Sequence, residues 1–370
     1  MDRPNIEQII DQHLTILRNL QYDSGLFAAS SKSVSTGYDK SWLRDNFYEA
    51  LAFLIIKDYK TVKKTARALL NIFLKHEYKI DHAIAKKPEH KHEYIHARFH
   101  PETFDEFWED WGNKQNDAIG AILFLIGELH HQKESVLETD DDYRITQKLV
   151  NYLQSLHYWN DADSGMWEEN EEIHASSVGA CLAGLISVKK IPGIHVPINV
   201  IRNGRITLNK LLPRESPEKF VDLAELSLIF PYNVTNYFQT REILKNVEYH
   251  LVKKHGVIRY KNDYYYNKNE DGRSEEAEWT FGFSWLSLIY KKLGNEEKAK
   301  EYEEKALQTI NVQGEVPELY YSNSNIHNEN SPLGWSESML IISLYALNKK
   351  HIDMNHLLHG AVLQEKEKVE

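Results

Sequence analysis

The sequence predicts an all-α protein, and more narrowly an (α/α)6 barrel in which an inner circle of helices is wrapped by an outer one. Three observations lead there. Apolar residues recur at helical spacing almost throughout, while runs that alternate β-branched and polar residues are scarce. About twelve helical segments can be delimited, and they alternate between segments that are apolar or small nearly all round and segments charged on one side. Their spacing is irregular, without the fixed period of about 34 to 47 residues that a straight helical solenoid would carry.

The first segment lies near 5–20. The second, near 45–57, contains "NFYEALAFLII" and begins at Asp45, whose carboxylate can cap it. Next come segments near 60–76, near 115–131 ("AIGAILFLIGEL"), near 142–157 and near 175–189 ("SSVGACLAGLISV"). Those near 197–212, 220–230 and 237–252 precede "TFGFSWLSLIY" near 279–293. A Gly-Asn break in "LGNEEKAKEY" then ends one helix and starts its antiparallel neighbour near 295–310, and the last segment lies near 334–348. Short breaks of this kind make helical hairpins, and six hairpins close a ring.

A chain of 370 residues with 42% hydrophobic content can bury a large core, and with no obvious linker residues 1–350 are expected to form a single domain. Residues 351–370, ending "QEKEKVE", are expected to be a partly disordered tail. The 44 basic and 55 acidic residues give a net charge of −11, which disfavours nucleic acid as a partner. No stretch of about 18 apolar residues occurs, and the start "MDRPNIEQII" has no export pattern, so a soluble cytoplasmic protein is expected. The lone Cys181, flanked by "VGACLAGL", reads as a packing thiol. The serines of "ASSVGA" lack a strand-turn-helix setting and read as small residues for close helix packing. Gly-rich phosphate cradles are absent, and no cofactor is expected.

The unusual residues are concentrated in the segments that lead into the inner-type helices. "GYDKSWLRDN" precedes the second helix, "FWEDWGNKQND" the fourth, "GMWEENEEIHASS" the sixth, "GRSEEAEWTF" the tenth, and "VPELYYSN" with "SPLGW" the twelfth. In an alternating ring these lead-in segments share one face, which would make a funnel of Trp, Tyr, Arg and carboxylates. Aromatic faces stack on the C–H faces of sugars, and Asp, Glu and Arg bond hydroxyls, so the composition suits a carbohydrate. Glycoside hydrolysis needs two carboxyl groups, one protonated and one ionised. Glu168 and Glu169 cannot be that pair by themselves, because consecutive side chains diverge on a helix and oppose on a strand. Trp167 can supply an apolar wall that raises a carboxyl pKa. Taken alone, "WEENEE" is more often a solvated helix start, and "WLRDN" more often a structural ion pair; their joint placement before inner-type helices is what points to a site.

"DSGLFAAS", "WLRDNFY", "DWGNKQND", "GMWEENEEIHASSVG", "LLPRESPEKFVD", "AEWTFGFSW", "VPELYYS" and "PLGWSES" follow one another in order. Through them the chain, from about residue 20 to 347, resembles glycoside hydrolase family fifteen, the glucoamylase family. Within that family it looks most like the amino-terminal glucoamylase-like domain of the phosphorylase kinase α and β subunits. The resemblance implies the (α/α)6 fold and an inverting exo-glucosidase site. It makes Glu168 the general acid and Glu318 the general base, with Arg44 and Asp45 gripping hydroxyls of the terminal glucose. Glu169 would bind the next sugar. Tyr38 and Trp42 would line the terminal-sugar pocket, Trp111 and Trp167 would stand near the acid, and Trp335 would close the pocket. Asp117 and Arg259 match further substrate-contacting positions. The chain departs from secreted glucoamylases at Leu319, where Gln is usual, at Gly334, where Thr or Ala is usual, and in "WGNKQND", which lacks the usual Arg-Pro pair. These departures leave both key carboxylates in place and bear on substrate specificity; with neither a starch-binding extension nor an export signal in the sequence, a small intracellular α-linked gluco-oligosaccharide is the expected substrate. A sugar-binding regulatory protein that retains the pocket is the second reading, and a protein partner is open to either.

Residues 76 to 100 hold six histidines, with His92, His96 and His100 at helical spacing. The segment is also Lys-rich and Pro-interrupted, so it is read as an exposed loop over or beside the mouth, and no metal is expected.

Overall fold

The computed structural model describes residues 5–107, 109, 111–266, 275–349 and 358. Within them lie helices α1 (Ile6–Leu20), α2 (Leu43–Ile55), α3 (Tyr59–Lys75), α4 (Glu77–Ala85), α5 (Asn116–His131), α6 (Asp140–Leu156) and α7 (Ala175–Val188). The series continues with α8 (Ile198–Leu211), α9 (Leu226–Ile229), α10 (Tyr237–His250), α11 (Phe281–Lys292), α12 (Glu296–Leu307) and α13 (Gly334–Asn348). The fold is the all-α toroid expected from the sequence.

The ring can be traced by what packs on what. Helix α2 packs on α5, α5 on α7, α7 on α9, α9 on α11, α11 on α13, and α13 returns to α2. Every residue of α2 is buried, and so is nearly every residue of α5, α7, α11 and α13, whereas outer helices such as α8 and α12 bury one stripe. The closest approach is between α5 and α7. A Cβ on Gly120 would lie 2.4 Å from the Cys181 nitrogen, and one on Gly184 would lie 2.3 Å from the Gly120 carbonyl oxygen. Small residues here let two backbones meet, and Cys181, fully buried with its thiol on the Asn116 carbonyl, is part of that packing.

Two features depart from the expectation. Residues 77–85, read as exposed loop, form α4, which buries Ile80 and Ala83 and packs against α6. Its apolar positions are few and interleaved with Lys and His, so the periodic signal is short. The segment expected near 220–230 contracts to a 3-10 turn at Leu223–Glu225 followed by the four residues of α9, ending before Pro231, which cannot continue a helix.

Two short antiparallel ribbons tie the lead-in segments together at one end of the ring. Strand β1 (Ser41–Trp42) pairs with β2 (Arg98–Phe99), setting Trp42 opposite Arg98. Strand β3 (Glu278–Trp279) pairs with β4 (Leu319–Tyr320), setting Trp279 opposite Leu319, the neighbour of Glu318. The tail expected over 351–370 lies, apart from Leu358, outside the described residues. Among the described residues no helix is long and apolar enough to cross a membrane.

Candidate active site

The lead-in segments of α2, α5, α7, α11 and α13 converge on one pocket of about 270 Å³, close to the lower end of the range for small-molecule sites. Of the residues singled out from the sequence, Tyr38, Trp42, Arg44, Asp45, Trp111, Trp167, Glu168, Glu169, Arg259, Glu318 and Trp335 all line it. Asp117 does not. It sits behind the wall, 2% exposed, holding Arg44.

Arg44 stands at the start of α2, where it is 3% exposed. Its Nε donates to Asp117 Oδ2 at 2.6 Å and its Nη2 to Asp117 Oδ1 at 3.0 Å, while Nη2 also reaches Gln115 Oε1 at 2.7 Å. Nη1 is left 3.7 Å from Glu168 Oε1. This fixed fork is what planar guanidinium chemistry supplies and lysine does not. Asp45 follows on the same turn, and burial pushes its carboxyl up to about 7 against the pull of Arg44.

Glu168 lies in a tight turn with φ +65°. That left-handed conformation is uncommon for a side-chain-bearing residue and aims Glu168 into the pocket. Gly112 permits the turn, because a Cβ there would lie 2.4 Å from the Glu168 carbonyl oxygen. Burial raises the Glu168 carboxyl to about 8, with Arg44 opposing and Asp45 assisting, so this carboxyl is protonated at neutral pH. Its neighbour faces other partners. Glu169 accepts from Arg259 Nη2 at 2.7 Å, from the Tyr260 hydroxyl and from Lys219 at 3.3 Å. Against the effect of burial, Arg259 and Lys219 hold its carboxyl below the usual range. Two adjacent glutamates are thus driven to opposite protonation states.

Glu318 enters from the loop after α12 and is 2% exposed. Its Oε2 accepts from Asn328 Nδ2 at 2.6 Å and Asn330 Nδ2 at 2.7 Å, and its Oε1 from the Tyr38 hydroxyl at 3.0 Å. Burial raises its pKa, and these donors oppose the rise by stabilising the carboxylate. Tyr265, 3.0 Å from the Tyr38 oxygen, completes a relay of hydroxyls.

The walls are aromatic. Trp335 stacks on Phe281 at 4.6 Å and on Tyr48 at 4.5 Å, and Trp167 is anchored by its indole N–H on Asp222 Oδ1 at 2.7 Å. Arg259, clamped by Asp263 at 2.6 and 2.7 Å, lies over Trp167 and Trp279. Six pocket residues were not singled out from the sequence: the apolar Ala29, Met166 and Leu333, and Arg98, Tyr265 and Trp279, which carry polar groups. Trp279 lies within "AEWTF" and carried a signal by type and place, whereas Arg98 was masked by its histidine-rich surroundings. His92, His96 and His100 do not share a helix face, since Lys91–Glu93 is a 3-10 turn and Arg98–Phe99 is β2. No group of three metal-binding side chains occurs among the described residues.

Comparison with known proteins agrees with this fold. The family model described as Glycosyl hydrolases family 15 matches residues 11–188, which include the Arg44 and Glu168 turns. The chain carries a glycosyl hydrolase family 15-like domain. Among curated relatives, this domain is 28% identical to the phosphorylase b kinase regulatory subunit alpha, skeletal muscle isoform, of Oryctolagus cuniculus, over 83% of this chain and 28% of that one. It is 25% identical to the probable phosphorylase b kinase regulatory subunit alpha of Drosophila melanogaster, over 83% and 28%. The chain therefore spans less than a third of the length of these relatives. Among solved structures, a wild-type glycosidase superposes with a TM-score of 0.80 at 17% identity, covering 92% of this chain and 96% of that one. A glucoamylase from Saccharomycopsis fibuligera superposes with 0.67 at 15%, covering 94% and 96%. At these identities the two superpositions establish the fold.

Proposed function

We propose that this domain is an inverting exo-acting glycoside hydrolase that releases glucose from the non-reducing end of small α-linked gluco-oligosaccharides. The observation that carries the reading is the pairing, in one pocket, of a carboxyl held protonated with a buried carboxylate held by three hydrogen-bond donors. Glu168 gives its proton to the glycosidic oxygen as the bond to the anomeric carbon breaks. Glu318 takes a proton from a water that attacks that carbon from the opposite face, leaving product of inverted configuration. Arg44 Nη1 and Asp45 bond hydroxyls of the terminal sugar, Trp42, Trp111, Trp167 and Trp335 enclose its apolar faces, and Glu169 with Arg259 meets the next unit.

The test is a panel of maltose, isomaltose, trehalose and longer α-glucans followed by proton NMR. Release of β-glucose, lost in both Glu168→Gln and Glu318→Gln, is expected. Initial α-glucose would overturn inversion.

A second reading is supported by the names of the curated relatives, which are regulatory subunits. In it the pocket binds a gluco-oligosaccharide without turnover and reports its presence to a protein partner. Saturable sugar binding with no product across the panel would favour that reading.

A further inference from the structure

Helix α13 contains one charged side chain, Glu337, in an otherwise neutral run, and it is fully buried. Taking a carboxyl out of water is unfavourable unless partners replace the water, and here they come from two separate segments. Glu337 Oε2 pairs with His13 Nδ1, and its Oε1 accepts the backbone N–H of Val316 at 2.8 Å. His13 lies on the buried stripe of α1, between Ile10 and Leu17. The pair therefore joins α1, the inner helix α13 and the loop after α12.

That loop carries Glu318. Val316 stands two residues before it, and the Val316 carbonyl accepts the Leu333 N–H at 2.9 Å. The next carbonyl, that of Pro317, accepts from Thr280 Oγ1 at 2.6 Å, and Thr280 Oγ1 lies 2.9 Å from the hydroxyl of Ser336, the neighbour of Glu337. Helix α1 touches the same loop a second time, where Gln12 Nε2 donates to the Gly314 carbonyl at 2.9 Å. The first turn of α13 thus holds the two residues that lead into Glu318, with α1 braced behind it.

A buried ion pair replaced by apolar residues of similar volume is often as stable or more so, so stability alone does not account for a carboxyl and an imidazole at this place. A hydrogen bond to a backbone N–H does what packing cannot, because its distance and angle fix the register of the segment it holds. That precision matters for a reacting group, where a displacement of about 1 Å can cost on the order of a hundredfold in rate. We infer that Glu337 and His13 are positioning residues for Glu318, the pair fixing the backbone from which that carboxylate projects and α1 serving as its brace. The inference rests on the base role proposed above for Glu318.

The test compares variants of the full chain at a temperature where each is folded, on a sugar of the panel that the parent hydrolyses. Glu337→Ala is expected to lower kcat by about a hundredfold and leave KM nearly unchanged, because Arg44 and Asp45, which grip the sugar, stand on α2. His13→Ala should act in the same direction and less. Glu337→Gln, whose amide oxygen can accept from Val316 and whose amide nitrogen can donate to His13, should bring kcat back close to the parent's. Leu17→Ala removes buried packing from the same helix without touching the pair, and should lower Tm while leaving kcat in place. A second readout needs no turnover. Carbon NMR of the Glu318 carboxyl should show its titration moved to higher pH in Glu337→Ala, as the opposing bonds from Asn330, Asn328 and Tyr38 loosen, and unmoved in Leu17→Ala. Equal losses of kcat in Leu17→Ala and Glu337→Ala, a change confined to KM, or no rescue by glutamine would overturn the positioning role. If the parent hydrolyses no sugar, the hydrolase reading fails, and the carboxyl titration alone decides whether the pair places Glu318. Should Glu337→Ala not fold, His13→Ala carries both readouts in its stead, and an unchanged kcat with an unmoved titration would overturn the role.

Discussion

Asp117 holds Arg44 by two parallel bonds, Nε to Oδ2 at 2.6 Å and Nη2 to Oδ1 at 3.0 Å, and so leaves Nη1 facing Glu168 Oε1 at 3.7 Å. The two residues are 3% and 2% exposed. Removing one partner leaves a buried charge uncompensated, which typically costs about 3–5 kcal/mol. Asp117→Ala is therefore expected to lower stability by that order in urea titrations. Arg44→Lys, which cannot hold two parallel bonds while pointing a third nitrogen at the pocket, should weaken sugar binding more than it weakens the fold.

Glu168 makes stability depend on pH in a defined direction. Its carboxyl titrates near 8 in the folded chain against an ordinary value of 4.5. Between those values the native state holds a proton that the unfolded chain has released, so this contribution is full at low pH and is lost as pH rises toward 8. Glu168→Gln, which cannot ionise, should raise Tm relative to the parent at pH 9 and leave it unchanged at pH 4. Scanning calorimetry at the two pH values checks this. In the proposed reaction the same proton gives activity an alkaline limb near pH 8.

Gly334 explains one departure from the glucoamylase pattern. A Cβ at this position would lie 2.0 Å from Glu49 Oε1, and Glu49 is fully buried on α2 with neither carboxyl oxygen hydrogen-bonded among the described residues. The space that a Thr or Ala would fill is occupied by a carboxyl from the facing inner helix. Gly334→Ala is expected to destabilise by about 1–3 kcal/mol, the usual cost of overpacking. On a Glu49→Ala background the same substitution should cost less, and a double-mutant cycle by chemical denaturation measures the coupling.

What could be read in advance follows from signal length. The longest inner helices carry unbroken runs of small and apolar residues, Ala118–Gly127 in α5 and Ala175–Val188 in α7, and their alternation with one-sided helices contains the ring. Helix α4 is nine residues long, and β1 to β4 are two residues each, too short for any periodicity to register. Those short elements set Arg98 opposite Trp42 and Trp279 beside Leu319, the neighbour of Glu318, and Arg98 and Trp279 are among the pocket residues overlooked. Asp117 illustrates a different limit. Its residue type and its place at the start of α5 mark it as functional, but spacing cannot separate a carboxylate that meets sugar from one that meets the arginine meeting sugar.

Tyr38 offers a test of how Glu318 is kept ready. The Tyr38 hydroxyl donates to Glu318 Oε1 at 3.0 Å, and with its one hydrogen so used it can only accept from Tyr265, 3.0 Å away. Burial raises the Glu318 carboxyl, and this donor, with Asn330 and Asn328, works against the rise. Tyr38→Phe removes one stabiliser of the ionised form, so the Glu318 pKa must move further up. A base has to be deprotonated to accept from water, and the acidic limb of the pH–rate profile is therefore expected to shift to higher pH while the alkaline limb near pH 8, set by Glu168, stays in place. Tyr265→Phe leaves the direct donor intact and should shift the acidic limb less. Equal shifts in the two variants would mean that the hydroxyls act through pocket shape and not through the bond to Glu318.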